Sequence, residues 1–428
     1  WRRCSCAARR WTVDRGAQAP GRSEDAVTAC DRTLAGGPRT IMWRGGCLSR
    51  DTNGLQSIRA IIALQARRDN LIGSGRGLLT MEGGKPEGEK EFVDAVCGPA
   101  KDSGVNFRRL LNTMKKGNLD VLFLNSSYRR YPDCTGVAEA IKKVGFVVHR
   151  GFFKTEEMDV ADLFVPAAFR PESAGSHYGA EKQVVWRDKC VDAPGSCVPD
   201  WQFYRDIGRK LAPEIYPDFT GPEELSERFR NTVPSWKAMS VSRMRQSPDG
   251  LIWPQPEEGA QERIGTVFTS GTYATENGKI PLDLKLMGAF GWTPPKGNPH
   301  GADADKEYPL VLTQGKVVTQ WQQTMTNFAA SLAQFSRGRY VLVHPDTAKP
   351  PGIAHGDTVR IKTATGSVEA VAELTASIRP GIIFTPSHFT GTSPHAATRS
   401  KPINAILPNY WDRVSAQFNG VGGTLEKA

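Results

Sequence analysis

The stretch from Tyr340 to Val368 limits the possible folds more than any other, because it reverses direction too often for long helices or an open sheet. Tyr340-Val341-Leu342-Val343-His344-Pro345-Asp346-Thr347-Ala348 reads as a strand followed by one turn of helix, with Asp346 placed to cap it. Gly356-Asp357 supplies a tight turn, and Thr358-Val359-Arg360-Ile361 then runs on as a strand with Val359 and Ile361 toward a core. Gly366 starts the return strand, in which Val368, Ala370 and Ala372 share a face, and Arg379-Pro380-Gly381 leads into the apolar Ile382-Ile383-Phe384. Several short strands with turn signals at this spacing predict a small closed β-barrel.

Upstream, from about residue 40, the pattern is different. A strand to Trp43 precedes a helix from Asp51 or Thr52 to about Arg68, with Leu55, Ile58, Ile62 and Ala66 at helical spacing. Phe107, Leu110, Leu111 and Met114 mark the face of another helix, which ends at Gly117 before the strand Leu119–Leu124. Val137, Ala140, Ile141 and Val144 mark a third, followed by the strands Phe146-Val147-Val148 and Leu163-Phe164-Val165-Pro166. Strands alternating with helices predict a mostly parallel sheet covered on both faces, with ligands at the carboxyl ends of its strands. Leu124-Asn125-Ser126-Ser127-Tyr128 lies at such an end, either as a phosphate-holding loop with Arg129 or Arg130, or as a solvated one.

Four segments follow from this reading: residues 1–39 unassigned, as disordered or non-native sequence; 40–240 an α/β domain; 241–304 a Pro- and Gly-rich connector; and 305–428 the barrel. The net charge of +10 is spread along the 428 residues with acids among the bases, and no aromatic and basic interleaving accompanies it. A nucleic-acid module is therefore not expected. Eight cysteines fall without a metal-ligand rhythm, and no apolar run is long enough to span a membrane, so neither a metal ligand set nor membrane insertion is expected of this chain. No G-x-S-x-G elbow supports a hydrolase.

The order of these segments resembles the large subunits of molybdopterin oxidoreductases, the family of dimethyl sulfoxide reductase, formate dehydrogenase and polysulfide reductase, over roughly residues 40–420. Asn53 to Ile61 resembles the helix before the family's Gly-rich cofactor loop, and Asn70 to Gly77 that loop. Ala161-Asp162-Leu163-Phe164-Val165-Pro166-Ala167-Ala168 is close to the family's Ala-Asp-Val-Val-Leu-Pro-Ala-Ala. Glu172, His177-Tyr178-Gly179, Pro194-Gly195 and Pro199-Asp200-Trp201 follow in the family's order. In the barrel, Thr324-Met325-Thr326 matches a loop that passes the pterins, whereas Trp321, Gln323 and Asn327 stand where formate dehydrogenases have His, Gly and Arg. Pro386-Ser387-His388-Phe389 and Asn404-Ala405-Ile406-Leu407-Pro408 resemble the closing loop.

The resemblance implies a Rossmann-like α/β domain followed by a double-psi-like β-barrel that caps a molybdopterin guanine dinucleotide carrying Mo or W. It implies the C-terminal part of a catalytic subunit performing two-electron redox or oxygen-atom transfer on a small inorganic or one-carbon substrate, as in anaerobic respiration. An iron–sulfur electron-transfer subunit would be its partner, in the cytoplasm or the periplasm. The metal's protein ligand, the catalytic residues and any iron–sulfur cluster would lie upstream, leaving this chain inactive by itself. The alternative is a non-catalytic module of an electron-transfer complex that keeps the fold without the metal. Cofactor contacts are implied for Asn125, Ser126, Glu172, His177, Asp200, Gly315, Gln322, Thr324, His388 and Asn404. By the resemblance Asp200 accepts from guanine, while from the residues alone it caps the helix Trp201 to Leu211. His388 reads equally as a cofactor contact or a packed barrel histidine.

Overall fold

The computed structural model describes residues 23–37, 39–45, 48, 54–71, 73, 75–80, 86–99, 105–125, 135–179, 182–216, 218–259, 273, 275–280, 307–320, 322–408 and 420–428. The chain divides into two compact units, one of residues 1–100, 174–189 and 204–294, the other of residues 101–173, 190–203 and 295–428. In chain order the strands are β1 (Ile41–Arg44), β2 (Gly77–Thr80), β3 (Val121–Leu124), β4 (Phe146–Gly151), β5 (Leu163–Pro166), β6 (Gly175–Tyr178), β7 (Gln183–Arg187) and β8 (Leu251–Ile252). The barrel adds β9 (Leu310–Gly315), β10 (Tyr340–Val343), β11 (Thr358–Thr363), β12 (Gly366–Leu374), β13 (Ile382–Pro386) and β14 (Val421–Lys427).

In the first unit β1 and β2 pair in parallel, with the helix Gly54–Arg67 between them in sequence. The side chains of Gln65 and Asn70 are buried, and their amides bind each other and the carbonyl of Thr40, with Gln65 also donating to Gly77 at 2.9 Å. Asn70 thus serves the backbone at the ends of this strand pair. A second sheet, β6-β7-β8, packs Val184 and Trp186 against Met239, Val241, Met244 and Leu251. The helix Val241–Gln246 and β8 belong to this core, although both lie in the stretch read from the sequence as a connector.

The second unit holds a parallel sheet and the barrel. β3, β4 and β5 pair in that order, with Val121 opposite Phe146 and Val148 opposite Leu163. The helices Phe107–Lys115 and Val137–Ile141 bury Leu111, Met114, Ala140 and Ile141 with Val147 on one face. On the other face Val148 is buried but Val121, Phe123, Phe146 and Leu163 are 39–47 % exposed, so the expected cover on both faces is full on one and partial on the other. The cover there comes from the start of the helix Asp200–Leu211, whose Phe203 ring meets Phe123 edge-on at 6.3 Å and lies 4.5 Å from the Arg150 guanidinium.

The six barrel strands close in the order β10-β12-β11-β14-β9-β13. Alternation places Val341, Val343, Val359, Ile361, Val368, Ala370, Ala372 and Ile383 inside. The helical turn Pro345–Ala348 begins as expected, but its cap is His344, whose Nδ1 accepts from the backbone N–H of Asp346 at 3.1 Å. Asp346 sits within the first turn instead, because Pro345 takes the first helical position and moves the cap back by two residues. Asp357 accepts from the Ala354 N–H at 2.8 Å and pairs with Lys427 at 2.9 Å, and both hold its carboxyl below the usual range.

The two faces of this sheet set up a direct comparison. Ile361→Ala removes a fully buried side chain and is expected to cost about 2–5 kcal/mol. Val371→Ala, 42 % exposed on the outer face, should cost less than about 0.5 kcal/mol. Denaturant melts of the two variants measure this; equal losses would contradict the assignment of faces.

Candidate functional site

Barrel closure brings a set of polar residues to one rim. β13 runs parallel to β9, with Pro386 opposite Gly315, and antiparallel to β10. The ends of β9 and β13 and the start of β10 therefore share one end of the barrel. Ser387 donates to the Gly315 carbonyl through its N–H at 2.9 Å and its hydroxyl at 3.0 Å. A Cβ at Gly315 would lie 3.0 Å from the Phe384 ring, so a larger residue here would have to push that ring aside.

Above this rim the segment after β9 and the segment after β13 bind each other. Asn327 donates its amide N–H to the His388 carbonyl, Ser393 donates to the Asn327 carbonyl at 3.3 Å, and Ser336 to the Ala397 carbonyl at 3.0 Å. Arg339 donates to Ser400 Oγ at 3.2 Å and to the Lys401 carbonyl at 2.7 Å, and lies 4.4 Å from the Phe389 ring centre. Gln320 Oε1, Thr326 Oγ1, Asn327 Oδ1, Arg339 Nη1 and both ring nitrogens of His388 are nevertheless buried without a hydrogen-bond partner. Each such atom costs about 1–3 kcal/mol. A native fold accumulates that cost at one place when a bound group repays it. Burial, and secondarily Lys316, pushes the His388 imidazole down to about 4, so it is neutral at pH 7. Burial likewise lowers the Arg339 guanidinium to about 10, which leaves it charged.

A second concentration lies at the carboxyl end of β4. His149 Nδ1 binds the Leu124 carbonyl at 2.9 Å, while its Nε2 is buried without a partner, 2.9 Å from where a Cβ on Gly151 would stand. Arg150 is 3 % exposed; its Nε donates to Asp200 Oδ1 at 2.7 Å, its Nη2 donates to the Val198 carbonyl, and its Nη1 is buried without a partner. The guanidinium lies 4.5 Å from the centre of the Phe203 ring. The segment leaving β4 meets the barrel rim directly. Phe153 stacks on Phe328 at 4.9 Å, and Thr390 donates its hydroxyl to Glu156 in a buried hydrogen bond.

The residues singled out in the sequence divide between these places and others. Gly315 and His388 sit at the rim, and Asn404 is half-buried in the turn Ile403–Ile406. Gln322 and Thr324 lie on the turn Gln322–Phe328, their side chains outside the described residues. Asn125 follows β3 and Asp200 opens the helix Asp200–Leu211, both near the end of β4; Ser126 lies outside the described residues. Glu172 accepts from the Phe169 N–H at 2.7 Å and closes its own short turn. His177 is in β6, beside Arg187, in the first unit. Sequence reasoning missed Arg150, Gln320 and Arg339. Arg150 carried a usable signal, since a charged residue between the apolar Phe146-Val147-Val148 and Phe152-Phe153 needs a partner when the strand is buried. Among the described residues, no three His, Cys, Asp or Glu come together to hold a metal ion, and no helix is long and apolar enough to cross a membrane.

Two family models match the chain: molybdopterin oxidoreductase over residues 41–210 and molydopterin dinucleotide binding domain over residues 310–420. The F420-dependent formate dehydrogenase subunit alpha of Methanocaldococcus jannaschii is 27 % identical over 63 % of this chain and 38 % of its own length. The assimilatory nitrate reductase catalytic subunit of Bacillus subtilis is 28 % identical over 71 % of this chain and 43 % of its own. The acetylene hydratase of Pelobacter acetylenicus superposes with a TM-score of 0.73 at 17 % identity, covering 98 % of this chain and 65 % of that one, which shows a shared fold. The chain spans about two-fifths of the length of the curated relatives it matches.

The buried imidazole makes a prediction about pH. His388 should titrate near 4 by NMR and not near its ordinary 6.5. Because the folded value is depressed, the stabilising contribution is present above 6.5 and is lost as the pH falls toward 4. His388→Phe should flatten that part of the stability profile; a profile unchanged by the substitution would contradict the burial of a neutral ring.

Proposed function

Because this chain belongs to the molybdopterin oxidoreductase family, we propose that it is the cofactor-holding part of a catalytic subunit that binds a molybdopterin guanine dinucleotide at the barrel rim and the end of β4. The observation that carries this reading is the group of buried, unpartnered polar atoms on Gln320, Thr326, Asn327, Arg339 and His388. They fit a pterin, whose ring edge alternates donors and acceptors, because the rim offers both. Neutral His388 donates from one ring nitrogen and accepts at the other, Asn327 Oδ1 accepts, Thr326 does either, and Arg339 adds a positive charge for an anionic tail. At the second place, Asp200 is 73 % exposed and its carboxylate suits the ring N–H and exocyclic amine of guanine. Asn125 borders the same strand ends, Ser126 is assigned with it on sequence position alone, and Gly315, Gln322, Thr324 and Asn404 border the rim. Glu172 and His177 keep structural contacts that support the loops around them.

When bound, the group supplies two-electron chemistry at a molybdenum or tungsten atom. The chain's own part is to bind and orient it and to exclude water from the rim. Formate dehydrogenase and nitrate reductase relatives support a redox role on a small inorganic or one-carbon substrate. The relatives named as alpha subunits support a partner subunit, and an iron–sulfur electron carrier suits that place.

Cofactor retention tests the rim. In protein purified from the complete reading frame that carries this chain, Thr326→Val and His388→Phe should each weaken retention by about tenfold, the worth of one or two hydrogen bonds to a buried group. Fluorescence of the oxidised pterin per chain measures it. Wild-type retention in both variants would contradict the rim as the binding place.

A further inference from the structure

We propose that Arg150 is a positioning residue that fixes Asp200 for guanine and thereby sets the preference of this site for guanine over adenine. The inference rests on the reading of Asp200 as the base contact and adds a cause for its selectivity. Arg150 is held on three sides: Nε by Asp200 Oδ1 at 2.7 Å, Nη2 by the Val198 carbonyl, and its plane by the Phe203 ring at 4.5 Å. Its side chain is 2 % exposed, whereas that of Asp200 is 73 % exposed. A solvated carboxylate ordinarily turns freely about its side-chain bonds, but this one is anchored at Oδ1 by a guanidinium that has no freedom of its own. Oδ2 remains available, with the unused lone pairs of Oδ1, on the solvent side.

A carboxylate fixed in this way presents two acceptors in a set direction and no donor. Guanine offers two adjacent N–H groups, from N1 and the 2-amine, and meets both acceptors. Hypoxanthine keeps N1–H and lacks the amine, so it meets one. Adenine offers an acceptor at N1, which faces a carboxylate unfavourably. Without the anchor the carboxylate can rotate away from that repulsion, and discrimination falls while weak binding survives. Arg150 therefore acts through Asp200, and the quantity it controls is a ratio of affinities.

The test measures dissociation constants of GDP, IDP and ADP for the full chain and for Arg150→Met, Arg150→Lys and Asp200→Asn. Asp200→Asn keeps an acceptor for Arg150 and so preserves the buried guanidinium's partner, but loses the doubly accepting edge. The wild type should bind GDP more tightly than IDP, and IDP more tightly than ADP. Arg150→Met should reduce the GDP-to-ADP preference about tenfold, the scale of one two-point base contact. Arg150→Lys should fall between, since an ammonium restores charge without the planar fork. A purely structural role would lower the melting temperature of Arg150→Met and leave the ratio unchanged, and that result overturns the inference. If Asp200→Asn loses the preference while Arg150→Met retains it, the guanine reading stands and the inference fails. If Asp200→Asn retains it, or the wild type shows no preference or no measurable binding at millimolar nucleotide, both fail.

Discussion

The hydrogen bond from Thr390 to Glu156, beside the stacked rings of Phe153 and Phe328, joins the segment leaving β4 to the barrel rim within one compact unit. Its consequence is positional. The carboxyl end of a parallel sheet is where backbone and side-chain groups are left unsatisfied in an α/β layer. The rim above β9 and β13 is where this barrel leaves its own polar groups unpaired. Tying one to the other brings the end of the sheet and the rim together, and in the proposed reading they serve as two halves of one binding surface. Neither half has the means alone: the sheet end supplies Arg150 and Asp200, and the rim supplies Thr326, Asn327 and His388.

Much of this architecture was legible from period alone. The alternation of Val359 with Ile361 and of Val368 with Ala370 and Ala372 placed the barrel core, and all five are buried. Helical spacing found Leu111 and Met114, and strand length found β3, β4 and β5. What failed depended on competition between neighbours. Asp346 is a good cap by type, but Pro345 took the first helical position and left the cap to His344. The stretch 241–252 looked like a connector because Pro and Gly crowd the sequence beyond it, yet Val241, Met244 and Leu251 bury against Trp186.

The site was less legible, for a physical reason. Gly315, Asp200 and His388 entered the proposed site through short motifs. Gln320 and Arg339 did not, because what marks them is a partner they lack after folding, and a missing partner leaves no mark in a linear pattern; nor did Arg150, although its charge beside an apolar strand was a signal for a buried partner. Glu172 illustrates a motif position with a local use, since one of its carboxylate oxygens accepts from the nearby Phe169 N–H. The family models cover both stretches that contribute to the proposed surface, 41–210 and 310–420, and leave out the stretch between them, where the helices Pro222–Thr232 and Val241–Gln246 and β8 lie.

The central claim is that the unpartnered atoms of the rim and the Asp200 carboxylate together hold a metal-bearing guanine dinucleotide. Elemental analysis and nucleotide analysis of protein purified from the complete reading frame carrying this chain, expressed in a cell that makes the cofactor, test it most directly. The account predicts about one atom of molybdenum or tungsten and at least one guanine nucleotide per chain. Protein folded and soluble with neither metal nor guanine nucleotide would contradict it, and would leave a structural relative that keeps the fold without the chemistry.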